Sequence, residues 1–227
     1  GTREPLADVA RTLERWVSVA AIRTFEQTRL QEFVDATTQL RVVNALTNEE
    51  HPCQALADLL TIYETKGGLK GINISYVGDG NNVAVSLALA AISVGANFCI
   101  ASPSGYNLPT PMVEEMRKRA SISGSTLVLE HSPEKVVKDA DVLYTDVWVS
   151  MGQEEETKLR RKVFEPYRVD ERLIAEAAPG ALFMHPLPAH PGEEVSEGLL
   201  DHPQSVVFHQ AENRLHIQKA ILMEILG

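Results

Sequence analysis

The sequence predicts an α/β fold in which parallel sheets are covered by helices on both faces. Three observations carry this expectation. Short apolar runs alternate with segments of helical spacing along the whole chain, the order that builds parallel sheets through crossover helices. The strand-like runs, such as INISYV, NFCIA and DVLY, are mostly apolar rather than alternating, as expected of strands buried on both faces. Helix boundaries carry matching punctuation, with Pro in a first turn and Gly just past an end.

Taken in order, PLADVARTLERWV (5–17) has helical spacing and is followed by the apolar VAAI and then Arg23. EQTRLQEFVDAT (26–37) reads as helix and VVNAL (42–46) as strand. HPCQALADLLTIYETKGG places a Pro in its first turn and Gly-Gly at its stop. INISYVG strand, NNVAVSLALAAISVG helix, NFCIASP strand and TPMVEEMRKRASIS helix come next, then TLVLEHS strand, PEKVVKDA helix and DVLYTDV strand. A polar loop runs to about Pro166, before DERLIAEAAPG helix and ALFMH strand. An irregular segment, SVVFHQ as a last strand and ENRLHIQKAILMEIL as a closing helix complete the chain. The Gly67-Gly68 break divides a partial α/β unit over 1–68, ending in a linking helix over 51–66, from an open-sheet unit over 69–206. The terminal segment 207–227 is expected to return toward the first unit. There is no internal repeat.

The 227 residues are 44% hydrophobic, enough for a sizeable core. The net charge of −10 argues against a broad nucleic-acid footprint, leaving anion binding to a few focused arginines and helix N-termini. Cys53 and Cys99 are too few for a disulfide framework and fit a reducing cytoplasm. No apolar run approaches membrane-spanning length, and no signal peptide is visible. The chain begins at Gly1 beside a helix-forming segment, and a missing N-terminal part is expected.

In open α/β sheets ligands bind beyond the carboxyl ends of the strands. Arg23 stands at one such end; Thr47, Asn48 and His51 follow the next; Asp79, Asn81 and Asn82 follow INISYVG. Asp146 and Ser150 follow DVLYT, His185 and His190 follow ALFM, and Glu212 and Arg214 follow SVVFHQ. VGDGNN lacks the third glycine of a dinucleotide turn, and the following strand ends in Ala101-Ser102-Pro103 with no acid for a ribose. Two readings remain for it: an Asn cap with a Gly turn, or Asn82 offering amide donors to a small carboxylate near a helix N-terminus. His51 and Gln54 are spaced to face one spot, for capping or for catalysis. Zinc is not indicated, since Cys53 has no second thiol nearby. Met151 either fills a gap or belongs, with Trp148 and Gly152, to a mobile lid. Arg214, expected in a first helical turn, calls for an anionic or carbonyl partner, with Glu212 as one choice.

The stretches GTREPLADVARTLERWV, AIRTF around Arg23, LTNEEHPCQALADLLTIYE, YVGDGNN, DVWVSMGQ, MHPLPAHPGEEV and AENRLHIQKA, in that order, resemble the transcarbamylase family, and within it the ornithine branch. The resemblance implies a carbamoyl-phosphate domain and an amino-acid domain, normally assembled as a homotrimer. It implies that Arg23, His51 and Gln54 hold carbamoyl phosphate, with Arg214 approaching the carbamoyl oxygen; Arg23, His51 and Arg214 would be catalytic. Asn82, Asp146, Ser150 and Met151 match positions that hold the amino acid, and Leu187 would contribute its backbone carbonyl. Pro186 and Pro188 would wall the site. No metal or organic cofactor is implied.

Three departures stand out. The family's Ser-x-Arg-Thr phosphate loop lies upstream of the matched region, so the first domain is expected to be incomplete and this chain alone to turn over little. The family's ornithine enzymes usually carry His-Cys-Leu-Pro, whereas residues 185–188 read His-Pro-Leu-Pro, the form of the aspartate branch. His209 also stands where an Asp is usual. Charge decides the substrate. Asp146 suits an ammonium and would repel a second carboxylate by about 4 kcal/mol at about 4 Å and an effective dielectric near 20. The expected reaction is carbamoyl transfer from carbamoyl phosphate to the δ-amine of L-ornithine, giving citrulline and phosphate. Alternatives are another amine (putrescine, an acylated ornithine or aspartate) or a non-catalytic binding or assembly subunit.

Overall fold

A computed structural model describes residues 4–150, 152 and 154–227. The first unit comprises α1 (Leu6–Leu13), β1 (Val19–Arg23), α2 (Gln27–Asp35) and β2 (Arg41–Leu46). Its strands form a two-stranded parallel sheet, and its small core gathers Ala10, Phe33 and Leu40. The helix α3 (Pro52–Lys66) then leads to β3 (Asn73–Val77), α4 (Asn82–Ser93), β4 (Asn97–Ala101), α5 (Thr110–Ser123) and β5 (Leu127–Glu130). After α6 (Pro133–Val137) come β6 (Val142–Tyr144), α7 (Thr157–Phe164), α8 (Glu171–Ala175), β7 (Leu182–Met184) and the long α9 (Val207–Leu226).

The second sheet is wholly parallel in the order β5-β4-β3-β6-β7. The chain builds outward from β3 to β5, then returns to β6 on the other side of β3. That reversal opens a crevice between the carboxyl ends of β3 and β6, where an open sheet presents its ligand site.

Local chemistry explains the elements that shape this crevice. Pro52 starts α3, where its missing N–H loses no bond, and Gly67 ends it at φ 77°, a left-handed conformation that suits glycine. Asn81 caps α4, its Oδ1 accepting from the backbone N–H groups of Val83 and Ala84 at 3.1 Å each. Apart from its ends, α4 is apolar nearly all round, because it is packed between α3, α5 and the sheet. Ile74, Leu87, Phe98 and Tyr144 bury one face of the sheet; Leu143, Phe164, Phe183 and Val207 bury the other.

Two elements depart from expectation. The polar run to Pro166 is not all loop: Thr157–Phe164 forms α7, with Arg160 and Phe164 turned inward one helical turn apart. Residues 205–210 do not form a strand: α9 begins at Val207, and only a single bridge, Phe183 to Ser205, continues the sheet edge. SVVF is too short for periodicity to separate a buried strand from a buried helix start. The decisive pattern runs further, with Val207, Gln210 and Asn213 all inward at helical spacing. Arg214 therefore lies two turns inside α9 rather than in its first turn. The helix α9 packs along α3. Among the described residues, no helix is long and apolar enough to cross a membrane.

Candidate active site

A cleft of about 890 Å³ opens where the carboxyl ends of both sheets meet. It gathers Arg23 from the end of β1, His51 and Gln54 from the start of α3, Asn82 from the start of α4 and Arg214 from α9. Asp146 and Ser150 enter from the segment after β6, and Pro186, Leu187 and Pro188 from the turn after β7. Every residue that the resemblance assigns to the site thus lines one cavity, except Met151, which lies outside the described residues; of the other strand-end residues, Thr47, His185 and Glu212 stand outside its lining.

One end of the cleft is cationic. Arg23 and Arg214 flank His51, whose pKa is lowered to about 4 by burial and then by these two charges. The imidazole is neutral near pH 7, able to donate from one nitrogen and accept at the other. Its Nδ1 is buried without a hydrogen-bond partner, while its backbone N–H donates to Ser86 Oγ at 2.7 Å. Arg214 is not held by Glu212, which faces His216 instead. Arg214 donates to Gln54 Oε1 at 2.5 Å and, with the Gln218 amide turned to satisfy both its atoms, to the Gln218 carbonyl as well, so neutral carbonyls supply its partners. Its positive charge is left available to an anion in the cleft.

The other end carries Asp146. Its Oδ2 accepts from Asn81 Nδ2 at 2.7 Å and its Oδ1 from the Val147 N–H at 2.8 Å. Burial raises its pKa, opposed by the nearby His185 and by these hydrogen bonds. Asn82 donates through Nδ2 to the Thr47 carbonyl at 2.6 Å, tying the start of α4 to the loop after β2. Asn81 rather than Asn82 is therefore the helix cap, and Asn82 keeps a second amide hydrogen for the cleft.

The His-Pro-Leu-Pro turn is held from behind. The His185 backbone N–H donates to Gln210 Oε1 at 2.9 Å, and His185 Nδ1 accepts from the Leu187 N–H at 2.9 Å. That assigns the ring proton to Nε2, which donates to the buried Glu194 Oε1 at 3.2 Å. Glu194 also accepts from the His190 N–H at 2.6 Å. Leu187 sits at φ 56°, a left-handed conformation that costs a β-carbon-bearing residue roughly 1–3 kcal/mol. Its N–H is engaged behind the turn, and Pro186 and Pro188 have none. Carbonyls are what this stretch has left to offer a ligand.

Sequence reasoning missed Arg160. This buried guanidinium pairs with Asp79, reaches Glu156 at 3.5 Å and donates to the Trp148 carbonyl at 2.6 Å. It also lies over Tyr106, 4.7 Å from the ring centroid. It pins the loop after β6 to the loop after β3. In TKLRRK it differs in no visible way from its exposed neighbour Arg161. Gly80 serves the same junction: a β-carbon there would stand 2.4 Å from the Leu108 nitrogen. Among the described residues, no group of three or more His, Cys, Asp or Glu side chains is placed to hold a metal.

Comparisons with known proteins identify relatives across the whole chain. Residues 70–225 match the family described as "Aspartate/ornithine carbamoyltransferase, Asp/Orn binding domain", and residues 1–64 match its "carbamoyl-P binding domain". The "Ornithine carbamoyltransferase" of Anoxybacillus flavithermus is 50% identical over 226 residues, covering 100% of this chain and 72% of that protein. The anabolic enzyme of that name from Pyrococcus furiosus is 48% identical over 224 residues, covering 99% of this chain and 71% of its own length. A solved structure of the ornithine carbamoyltransferase from Pyrococcus furiosus superposes with a TM-score of 0.93 at 48% identity, covering 97% of this chain and 70% of that one.

Proposed function

The chain belongs to the aspartate/ornithine carbamoyltransferase family, and on that footing we propose that its cleft carries carbamoyl from carbamoyl phosphate to the δ-amine of L-ornithine. The supporting observation is the polarity of the cleft, with Arg23, His51 and Arg214 at one end and Asp146 at the other. An oxyanion and an ammonium bound in one cavity are what the two substrates present.

In this reading the neutral δ-amine attacks the carbamoyl carbon, forming the C–N bond. The tetrahedral intermediate then collapses as the bond from the carbamoyl carbon to the phosphate oxygen breaks; phosphate leaves with the electron pair and takes up the proton that the nitrogen gives up. Arg23, Gln54 and His51 hold the phosphate. Arg23, His51 and Arg214 face the oxygen on which negative charge grows, where loss of one such donor costs roughly 3–4 kcal/mol of barrier. Neutral His51 donates a hydrogen bond without adding a third positive charge. Asn82 takes the α-carboxylate and Asp146, with Ser150, the α-ammonium. Met151 is assigned beside them by the family match alone. The Leu187 carbonyl accepts from the incoming amine and so aims its lone pair. Positioning and electrostatics supply the catalysis.

Residues 1–68 act in this proposal as the carbamoyl-phosphate unit and 69–206 as the amino-acid unit, with 207–227 returning along α3. A cytoplasmic homotrimer belongs to the same proposal. Aspartate is disfavoured because Asp146 would face its second carboxylate. The test is thermal denaturation with phosphonoacetamide, which carries the phosphoryl and carbamoyl groups without the scissile bond, plus either amino acid. Ornithine is expected to raise Tm well beyond aspartate. A larger shift with aspartate would overturn the substrate.

A further inference from the structure

In the middle of α3, Asp58 is wholly buried yet forms no ion pair among the described residues. Three neutral donors surround it instead. Gln54 Nε2 and Gln210 Nε2 donate to its Oδ1 at 2.8 and 2.7 Å, and the Tyr144 hydroxyl donates to its Oδ2 at 2.9 Å. Burial pushes its pKa up to about 6, while those hydrogen bonds and the charge of Arg214 pull the other way. Three donors on its two oxygens leave this carboxylate acting only as an acceptor. An isolated buried charge is costly, and an apolar residue of similar size would often suit a core better.

The acceptor-only character has a geometric consequence. Both glutamines must turn their NH2 groups toward Asp58, which forces both carbonyl oxygens outward. Gln54 Oε1 then receives Arg214 at 2.5 Å. Gln210 Oε1 receives the His185 N–H at 2.9 Å, and His185 in turn receives the Leu187 N–H. One buried oxygen thus sets the direction of two relays, which end at opposite walls of the cleft.

We propose that Asp58 is a positioning residue that fixes the amide polarity of Gln54 and Gln210 and so holds Arg214 and the Leu187 turn in one mutual register. The inference rests on the carbamoyl-transfer reading, in which Arg214 serves the carbamoyl phosphate and Leu187 the amine. Asp58 itself does not line the cleft, so it acts through Gln54 and Gln210 rather than on a ligand.

The test measures two affinities by calorimetry: phosphonoacetamide alone, then ornithine at saturating phosphonoacetamide. Gln210→Met cuts only the relay to the turn and is expected to weaken ornithine about tenfold, the scale of one hydrogen bond, with phosphonoacetamide little changed. Asp58→Leu removes the shared acceptor and is expected to weaken both ligands at least tenfold. Asp58→Asn keeps one oxygen for both amides while its NH2 meets the Tyr144 oxygen, so it is expected to lose less than Asp58→Leu. Should Asp58→Leu fail to fold, the other two variants decide. An unchanged ornithine affinity in Gln210→Met, or equal loss of both ligands there, overturns the inference. So does a tenfold or greater loss in Asp58→Asn. Wild-type protein that captures neither ligand overturns the carbamoyl-transfer reading, and this inference with it.

Discussion

Replacing Asp146 by Asn removes the carboxylate assigned to the ammonium while leaving the side-chain volume nearly unchanged; Asp79, which also lines the cleft, is already paired with Arg160. The structural cost follows from what Asp146 touches. Its two oxygens accept from Asn81 Nδ2 and from the Val147 N–H, so an amide turned either way brings its NH2 against a donor. Asn81 cannot reverse to relieve this, because its Oδ1 caps α4 through Val83 and Ala84. One mismatched buried donor costs about 1–3 kcal/mol, which in a chain of this length lowers Tm by roughly 2–12 °C. Relief of the burial that already raises the Asp146 pKa moves the result toward the smaller end. The effect on substrate is larger. A carboxylate about 4 Å from an ammonium, at an effective dielectric near 20, contributes up to about 4 kcal/mol. Ornithine affinity is therefore expected to fall by roughly 100- to 1000-fold, since about 1.4 kcal/mol is tenfold. Phosphonoacetamide, bound at the cationic end, is expected to change by less than about threefold. Calorimetric titration of each ligand reads both numbers. Ornithine affinity within threefold of wild type would refute the assignment, as would parallel loss of the two ligands.

Two further outcomes are expected. Arg23→Ala weakens phosphonoacetamide far more than it disturbs the contacts to ornithine; equal loss of both, measured by the same titrations, contradicts its role. His51 makes stability pH-dependent in a defined window. Its folded pKa of about 4 lies below the unfolded value of 6.5, so between these values the unfolded chain binds more protons. The stabilising contribution is fully present above 6.5 and is lost as the pH falls toward 4. Urea denaturation at pH 7 and pH 4.5 is expected to show a loss for wild type that exceeds the loss for His51→Gln by roughly 2 kcal/mol. Identical losses would contradict a buried neutral imidazole.

Much of this site is legible in the sequence because strand ends are legible. Apolar runs such as SYV and VLY stop abruptly, and the polar residues just beyond them, Asp79 to Asn82 and Asp146 to Ser150, fall at one sheet edge by the logic of a parallel sheet. Pro52 and Gly67 likewise delimit α3 in both sequence and structure. What stays hidden depends on partners distant in sequence. Asp58 in ALADLL looks like an ordinary polar position of an amphipathic helix, and only the arrival of Gln210, 152 residues later, makes it a hub. Arg160 is concealed in a charged run until Asp79 is placed beside it. SVVF misleads for a third reason: its branched apolar residues suit a strand, and the inward spacing that makes it helical lies beyond it, at Gln210 and Asn213.

The most direct measurement is a crystal structure of the protein with phosphonoacetamide and ornithine together. The expected result is a single cleft with the phosphonate against Arg23 and His51, the α-ammonium at Asp146, and the δ-nitrogen beside the Leu187 carbonyl. Two ligands bound on separate faces, or an amino acid with its carboxylate turned toward Asp146, would contradict the account.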